Sequence, residues 1–299
     1  MSLRITQNSM NRTQLAGLNT SLNRLQQTQE QLTTGKRLNR PSDDPVGTVS
    51  ALRFRSEQSQ LAQFGANITD GLSRLQASDD ALSQTSNMTQ RIRTQALAAL
   101  NGTGSQTQMK AYAAEIREMR AGLLQQANSQ YAGQPLFGGT TPKDNAFDPA
   151  TGAFQGNNLP VLRQITDSPG DAGQINVGVN GQAAFGNALV KGTGDLDKLA
   201  AAIEAGDSAG INAGLAAVDK LQDDILNVQA TVGTRVGRLV SLEALNGRQD
   251  DASRIALSKV EDTDFLKAAM DLSIQSNAYQ AALSASAKII QPSLMDFIR

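Results

Sequence analysis

Residues 15–45 read LAGLNTSLNRLQQTQEQLTTGKRLNRPSDDP, and the reading of the fold starts there. Leu15, Leu18, Leu22, Leu25, Gln29 and Leu32 recur at alternating spacings of three and four residues, which is the stripe of a coiled-coil helix. Gly35 then stands at a C′ position, where the missing Cβ lets the backbone turn left-handed. Lys36 and Arg37 follow at the negative end of the helix dipole. In Ser42-Asp43-Asp44-Pro45 the chain restarts a helix. Asp44 can cap it, and Pro45 suits its first position because that N–H has no partner to lose.

Outward from this stretch the same signals continue. A second helix runs to about Leu100, with Leu61, Phe64, Ile68, Leu72, Leu75 and Leu82 on one face, and Asn101-Gly102 stops it. Ser105 with Gln108 forms a capping box for a third helix, whose stripe is Met109, Tyr112, Ile116, Met119, Leu123 and Ala127. From Gly133 to about Gly194 the chain is dense in Gly, Pro, Asn and Asp. Two β-type runs stand out there, Leu159 to Thr166 and Gln174 to Val179, and Asn180-Gly181 is a hairpin-turn signal. A short helix is expected at Asp195–Ala205 and a long one at about Ala213–Leu257. The long one carries Val218, Leu221, Ile225, Val228, Val232, Val236, Leu239 and Leu242. After Val260-Glu261-Asp262-Thr263-Asp264 a last helix carries Phe265, Ala269, Leu272, Tyr279, Leu283 and Ile290.

The fold class is therefore mainly α: an elongated helical bundle or coiled coil with a small central β insertion and terminal amphipathic helices. Three parts are expected. Residues 1–40 and 262–299 are the terminal helices, residues 41–140 and 195–261 a helical core, and residues 141–194 a small β-rich insertion. A lone amphipathic helix is marginal in water. The ends therefore pair within the chain, pair with other chains, or stay disordered until they do. Leu15, Leu18, Leu22, Leu25 and Leu32 at one end, and Phe265, Leu272, Tyr279, Leu283 and Ile290 at the other, are the candidate subunit-interface residues.

Composition narrows the function. Of 299 residues only 4% are aromatic and none is Trp, which favours thin Ala/Leu packing over a thick aromatic core. The 27 basic and 28 acidic residues nearly cancel, so neither a nucleic-acid footprint nor a polybasic lipid segment is present. There is no Cys and no His. That removes thiolate metal sites, disulfides, the commonest general base and the usual triad partner. The first residues lack the apolar core of a secretory signal, and no apolar run is long enough for a membrane span. Asp43 and Asp44 can be read as a metal pair or as helix caps. Glu261, Asp262 and Asp264 can be read as an acid–base cluster or as caps before the last helix. Arg91 and Arg93 are a possible partner contact or a solvated face. No strand, phosphate loop and helix follow the glycines at 138–139 and 178–181. The expectation is no enzyme, no cofactor and no metal.

Three segments carry a family resemblance. Leu32 to Gly47, with Gly35 and the Asp43-Asp44-Pro45 restart, resembles the flagellin-family signature linking the N-terminal helix to the core. Gln90-Arg91-Ile92-Arg93 through Asn101-Gly102-Thr103 resembles the family's second N-terminal motif. Val260 to Phe265 resembles the motif that opens its C-terminal helix. All three occur in the family's order. Pro41 together with Pro45, the run Gln130 to Gly139, and the run Gln174 to Gly181 followed by Phe185 resemble the member that joins hook to filament, and the ending Met295 to Arg299 departs from the filament subunit's usual pattern; flagellin is the alternative. The resemblance implies an extracellular structural subunit exported without a cleaved signal peptide, by a type III route. Its terminal helices would form an inner tube, its core the next shell, and its β insert would face outward. Its implied partners are other copies of itself in a ring, an adjacent hook-associated protein, flagellin and an export chaperone. A tip protein of a virulence secretion system and an enzyme hidden in the insert are the other classes. The three motifs disfavour the first, and the lack of His and Cys disfavours the second.

Overall fold

The computed structural model describes the backbone of residues 2–102 and 105–295, and the side chains of residues 9, 12–102, 105–170 and 172–287. Among the described residues, seven α-helices and four short strands succeed one another. The helices are α1 (Ser2–Thr34), α2 (Pro45–Asn101), α3 (Gln106–Ala127), α4 (Gly181–Phe185), α5 (Asp195–Ala205), α6 (Ser208–Glu261) and α7 (Phe265–Met295). The strands are β1 (Gln130–Tyr131), β2 (Gln134–Pro135), β3 (Leu162–Gln164) and β4 (Gln174–Asn176). The chain divides into two compact units, one of residues 1–60 with 250–299 and one of residues 61–249. Long α2 and α6 contribute to both.

The first unit is built on α1 and α7, which pack on each other. Thr28 of α1 meets Gln275 of α7, and Gly35 meets Thr263, so the pair runs antiparallel. Of the alternatives open to an unpartnered amphipathic helix, pairing within the chain is the one adopted. On α1 the half-buried face is Leu18, Leu22, Leu25 and Leu32, with Thr28 buried among them. On α7 it is Ala268, Leu272, Gln275, Tyr279, Ala282 and Ser286. Leu15 and Gln29 fall off the shared face, as do Phe265, Ala269 and Leu283. A straight helix drifts about 20° per heptad from a 3.5-residue repeat, so a stripe counted by leucines alone need not coincide with the face in contact. The side chain of Ile290 lies outside the described residues.

In the second unit the predicted stripes supply the core. Ile68, Leu75, Leu82 and Ile92 of α2 are fully buried, with Ile116 and Leu123 of α3 and Ile225 and Leu239 of α6. Helix α5 packs on α3 and adds Leu196, Leu199 and Ile203. Ser78, Thr85 and Thr89 lie inside α2's buried face, and each hydroxyl donates to the carbonyl four residues earlier in its own helix. That local bond lets a polar residue enter an apolar core without a lost partner. The capping-box glutamine is in place: the Gln108 side chain accepts from the Ser105 backbone N–H at 3.0 Å.

The central region is less strand-like than its sequence suggests. Only residues 162–164 and 174–176 of the two β-type runs pair, antiparallel, with Leu162 opposite Asn176. Asn180-Gly181 is not a hairpin turn. The Asn180 side chain accepts from the backbone of Gln182 and Ala183 and caps the short helix α4. Gly181 packs so closely on Phe137 that a Cβ would lie 2.6 Å from its carbonyl oxygen. The physical reason is that no strand comes next to complete a hairpin, so the same Asn tendency to bond its own backbone serves a cap instead. The region is held by aromatics. Phe137, Phe147, Phe154 and Phe185, half of the chain's eight phenylalanines, stack edge-on with centroids 5.2–5.5 Å apart. The Ala/Leu packing expected from composition holds for the helices and not for this region.

Candidate functional site

The residues singled out in the linkers converge at one place in the first unit, where α1 gives way to α2 and α6 gives way to α7. Gly35 ends α1 with φ +71°, and its carbonyl accepts from the Thr263 backbone N–H at 3.0 Å. The Arg37 backbone N–H donates to the Glu261 carbonyl at 2.7 Å, and its guanidinium donates to the Val260 carbonyl at 2.8 Å. Lys36 and Asp262 form an isolated antiparallel bridge. Two linkers more than 200 residues apart in sequence are thus stitched together by backbone bonds.

Side chains complete the arrangement. The Asp44 carboxylate accepts from the Gly47 backbone N–H at 2.8 Å. That bond, foremost, holds its pKa below the usual carboxylate value, with Arg37 helping. Pro45 opens α2 as the sequence predicts. Asp43 accepts from the Arg40 N–H at 3.0 Å and from the Gln27 amide at 3.3 Å. Asp264 caps α7, accepting from the N–H groups of Leu266 and Lys267 at 3.1 Å each. Asp262 is exposed in the linker.

Glu261 behaves differently from its neighbours. It does not cap the last helix, because it is the final residue of α6. Its carboxylate is 3% exposed and bonds both Lys36 and Arg55, the latter at 2.6 Å. Burial pushes its pKa up, but the hydrogen bonds and charges of Lys36 and Arg55 outweigh that and hold it below the ordinary value. Sequence reading found the motif and missed this hub, since Lys36 and Arg55 lie far away in sequence and nothing local announces them. Arg93, in the second unit, is taken by Asp219 within the chain at 2.6 Å. Arg91 is exposed and makes no ion pair among the described residues.

Chemically the node is a brace. The carboxylates of Asp43, Asp44, Glu261 and Asp264 are each committed to a backbone N–H or a cation, and among the described residues no group of three or more His, Cys, Asp or Glu is placed to hold a metal. No helix among the described residues is long and apolar enough to cross a membrane.

Comparison with known proteins adds the context. A family model described as the bacterial flagellin N-terminal helical region matches residues 5–141. The flagellar hook-associated protein 3 of Salmonella typhimurium is 27% identical over 310 aligned positions, spanning 96% of this chain and 95% of that protein. A flagellin of Escherichia coli O127:H6 is 30% identical over 89% of this chain, which covers only 46% of the flagellin's own length. Among solved structures, a flagellar hook-associated protein-3 from Legionella pneumophila superposes with a TM-score of 0.57 at 15% identity, covering 69% of this chain and 98% of that one.

Proposed function

We infer from a single premise, that the chain belongs to the flagellin family, that it is a structural, non-enzymatic subunit of the bacterial flagellum joining hook to filament. The observation that carries this is the end-to-end match with a hook-associated protein 3, 95% of whose length is covered, against 46% of one matched flagellin and 78% of another. The protein works outside the cell, in the flagellum, and assembles with hook and filament components.

Within that role, copies form a ring, with a hook-associated protein on one side and flagellin on the other, and an export chaperone accompanies the chain before assembly. Residues 1–40 and 262–299 form the inner tube, residues 41–140 and 195–261 the next shell, and residues 141–194 face outward. The terminal helices supply the contacts between copies, with Leu15, Phe265 and Leu283 available because they are exposed on the α1–α7 pair. The brace at Glu261 supports this reading, since it holds the roots of both terminal helices together. Arg91, with no ion pair among the described residues, is the cation of its motif that a partner carboxylate can use.

Deleting the protein tests the function. The expected result is complete hooks without filaments, with filament subunits released into the medium. Hooks that still carry stable filaments of normal length would overturn it.

A further inference from the structure

The pair Asn-Gly occurs at residues 101–102, 180–181 and 246–247, and it has a chemistry of its own. The glycine backbone nitrogen attacks the asparagine side-chain carbonyl carbon. A succinimide ring closes, and the amide leaves as ammonia. Water then opens the ring at one of its two carbonyls. The product is aspartate, or isoaspartate with the backbone rerouted through the side chain. Glycine favours the attack because it has no Cβ in the way and a permissive backbone. Closure also requires the glycine nitrogen to leave its hydrogen bond and the asparagine to leave helical geometry.

The fold treats the three pairs differently. At Asn180 both reacting groups are committed. Its side-chain oxygen accepts from the N–H groups of Gln182 and Ala183 at 2.9 and 3.3 Å. The Gly181 N–H donates to the Phe137 carbonyl at 3.0 Å, and Gly181 is buried. Asn246 lies well inside α6, where the following N–H belongs to the helix ladder. Its side-chain amide donates to the Leu61 carbonyl at 3.0 Å. Asn101 is the last residue of α2 and Gly102 lies beyond it. Both are exposed, and the Asn101 side chain makes no hydrogen bond among the described residues. A helix end frays at almost no cost, whereas helix interiors and buried caps open far less often.

We propose that Asn101 is a site of spontaneous deamidation, and that the fold protects the same dipeptide at Asn180 and Asn246. Each product puts a carboxylate at the negative end of the α2 dipole, where an anion is unfavourable. The modification therefore weakens the last turn of α2, inside the segment 90–103. It follows from the chain's own structure and does not depend on its role in the flagellum.

The test uses the full-length chain, incubated at mildly alkaline pH. Peptide mass mapping follows the exchange of amide for acid at each of the three sites. Labelling by an isoaspartate methyltransferase reports the rerouted product. Asn101 is expected to convert at least about tenfold faster than Asn180 or Asn246, because their opening costs more than fraying of a helix end. In urea the three rates should converge, since the reacting pair is the same in each. Gly102→Ala should slow conversion at Asn101 and leave the other two sites unchanged. Conversion of Asn180 or Asn246 at the pace of Asn101 in the folded chain would overturn the proposal. So would an unmodified Asn101, or a spread of rates that persists unchanged in urea.

Discussion

Leu22→Asp leaves the thermal transition of residues 61–249 near that of the parent and abolishes incorporation into flagella, with motility lost. Leu22 is half-buried on the face of α1 that meets α7. A carboxylate there must shed water on an apolar seam, a cost of several kcal/mol in a closed wall. In the free chain the α1–α7 pair can open and hydrate the charge. The cost then falls mainly on assembly, and the second unit, with its own buried core, does not register it. Leu283→Asp separates two roles. Leu283 is exposed on the α1–α7 pair, so its substitution leaves that pair intact and tests only the contact between copies. Incorporation of both variants at parental levels would show that neither face is used in assembly.

The second large effect lies at the linker brace, where the order of severity is counter-intuitive. Lys36→Ala with Arg55→Ala is more damaging than Glu261→Gln. The double variant strips both cations from the Glu261 carboxylate, which is 3% exposed with them in place. The lost charged hydrogen bonds cost roughly 1.5–3 kcal/mol, since truncation also admits water. Glu261→Gln leaves two cations that are 48% and 50% exposed, which water can serve, so its cost is about 1 kcal/mol. The readout is amide exchange at Arg37 and Thr263, whose N–H groups bond across the linkers.

The same node has a pH dependence of defined sign. Glu261 has a folded-state pKa below its ordinary 4.5. Its contribution is therefore complete above about pH 4.5 and is lost as pH falls through the lowered value. In Glu261→Gln that acid-linked loss of protection at Arg37 and Thr263 disappears. In the double variant burial acts unopposed, the carboxyl pKa rises, and the linkers tighten on acidification. Identical exchange profiles across the acid range in parent and Glu261→Gln would contradict the assignment of Glu261 as the hub.

The sequence yielded the helices well and the contacts between distant segments poorly, for physical reasons that can be named. Helix ends are written locally. Gly35, Asp44-Pro45 and Asn101-Gly102 act through their own backbone preferences, and the ends of α1 and α2 fall where those residues put them. Burial stripes in α2, α3 and α6 were legible because each faces a continuous apolar core. Helix phase in α1 and α7 was legible in part: Leu18, Leu22, Leu25, Leu32, Leu272 and Tyr279 lie on the shared face, while Leu15, Phe265 and Leu283 fall off it. The central region misled because Asn180-Gly181 has the chemistry of both a hairpin turn and a helix cap, and the choice depends on whether a strand or a helical turn occupies residues 182–185. Glu261 lay inside a recognised motif, yet its partners Lys36 and Arg55 are brought to it by the tertiary fold. Its neighbours Asp44 and Asp264 cap helices as their local sequence suggests, which made a capping role for Glu261 the natural but mistaken extension.

The most direct measurement for the central claim is the position of the protein in an intact flagellum, by immunogold electron microscopy of purified hook-and-filament assemblies with a label against residues 141–194. A hook–filament junction subunit predicts gold confined to a narrow zone where the hook ends and the filament begins. Gold distributed along the length of the filament would contradict that account and make the chain a filament subunit instead.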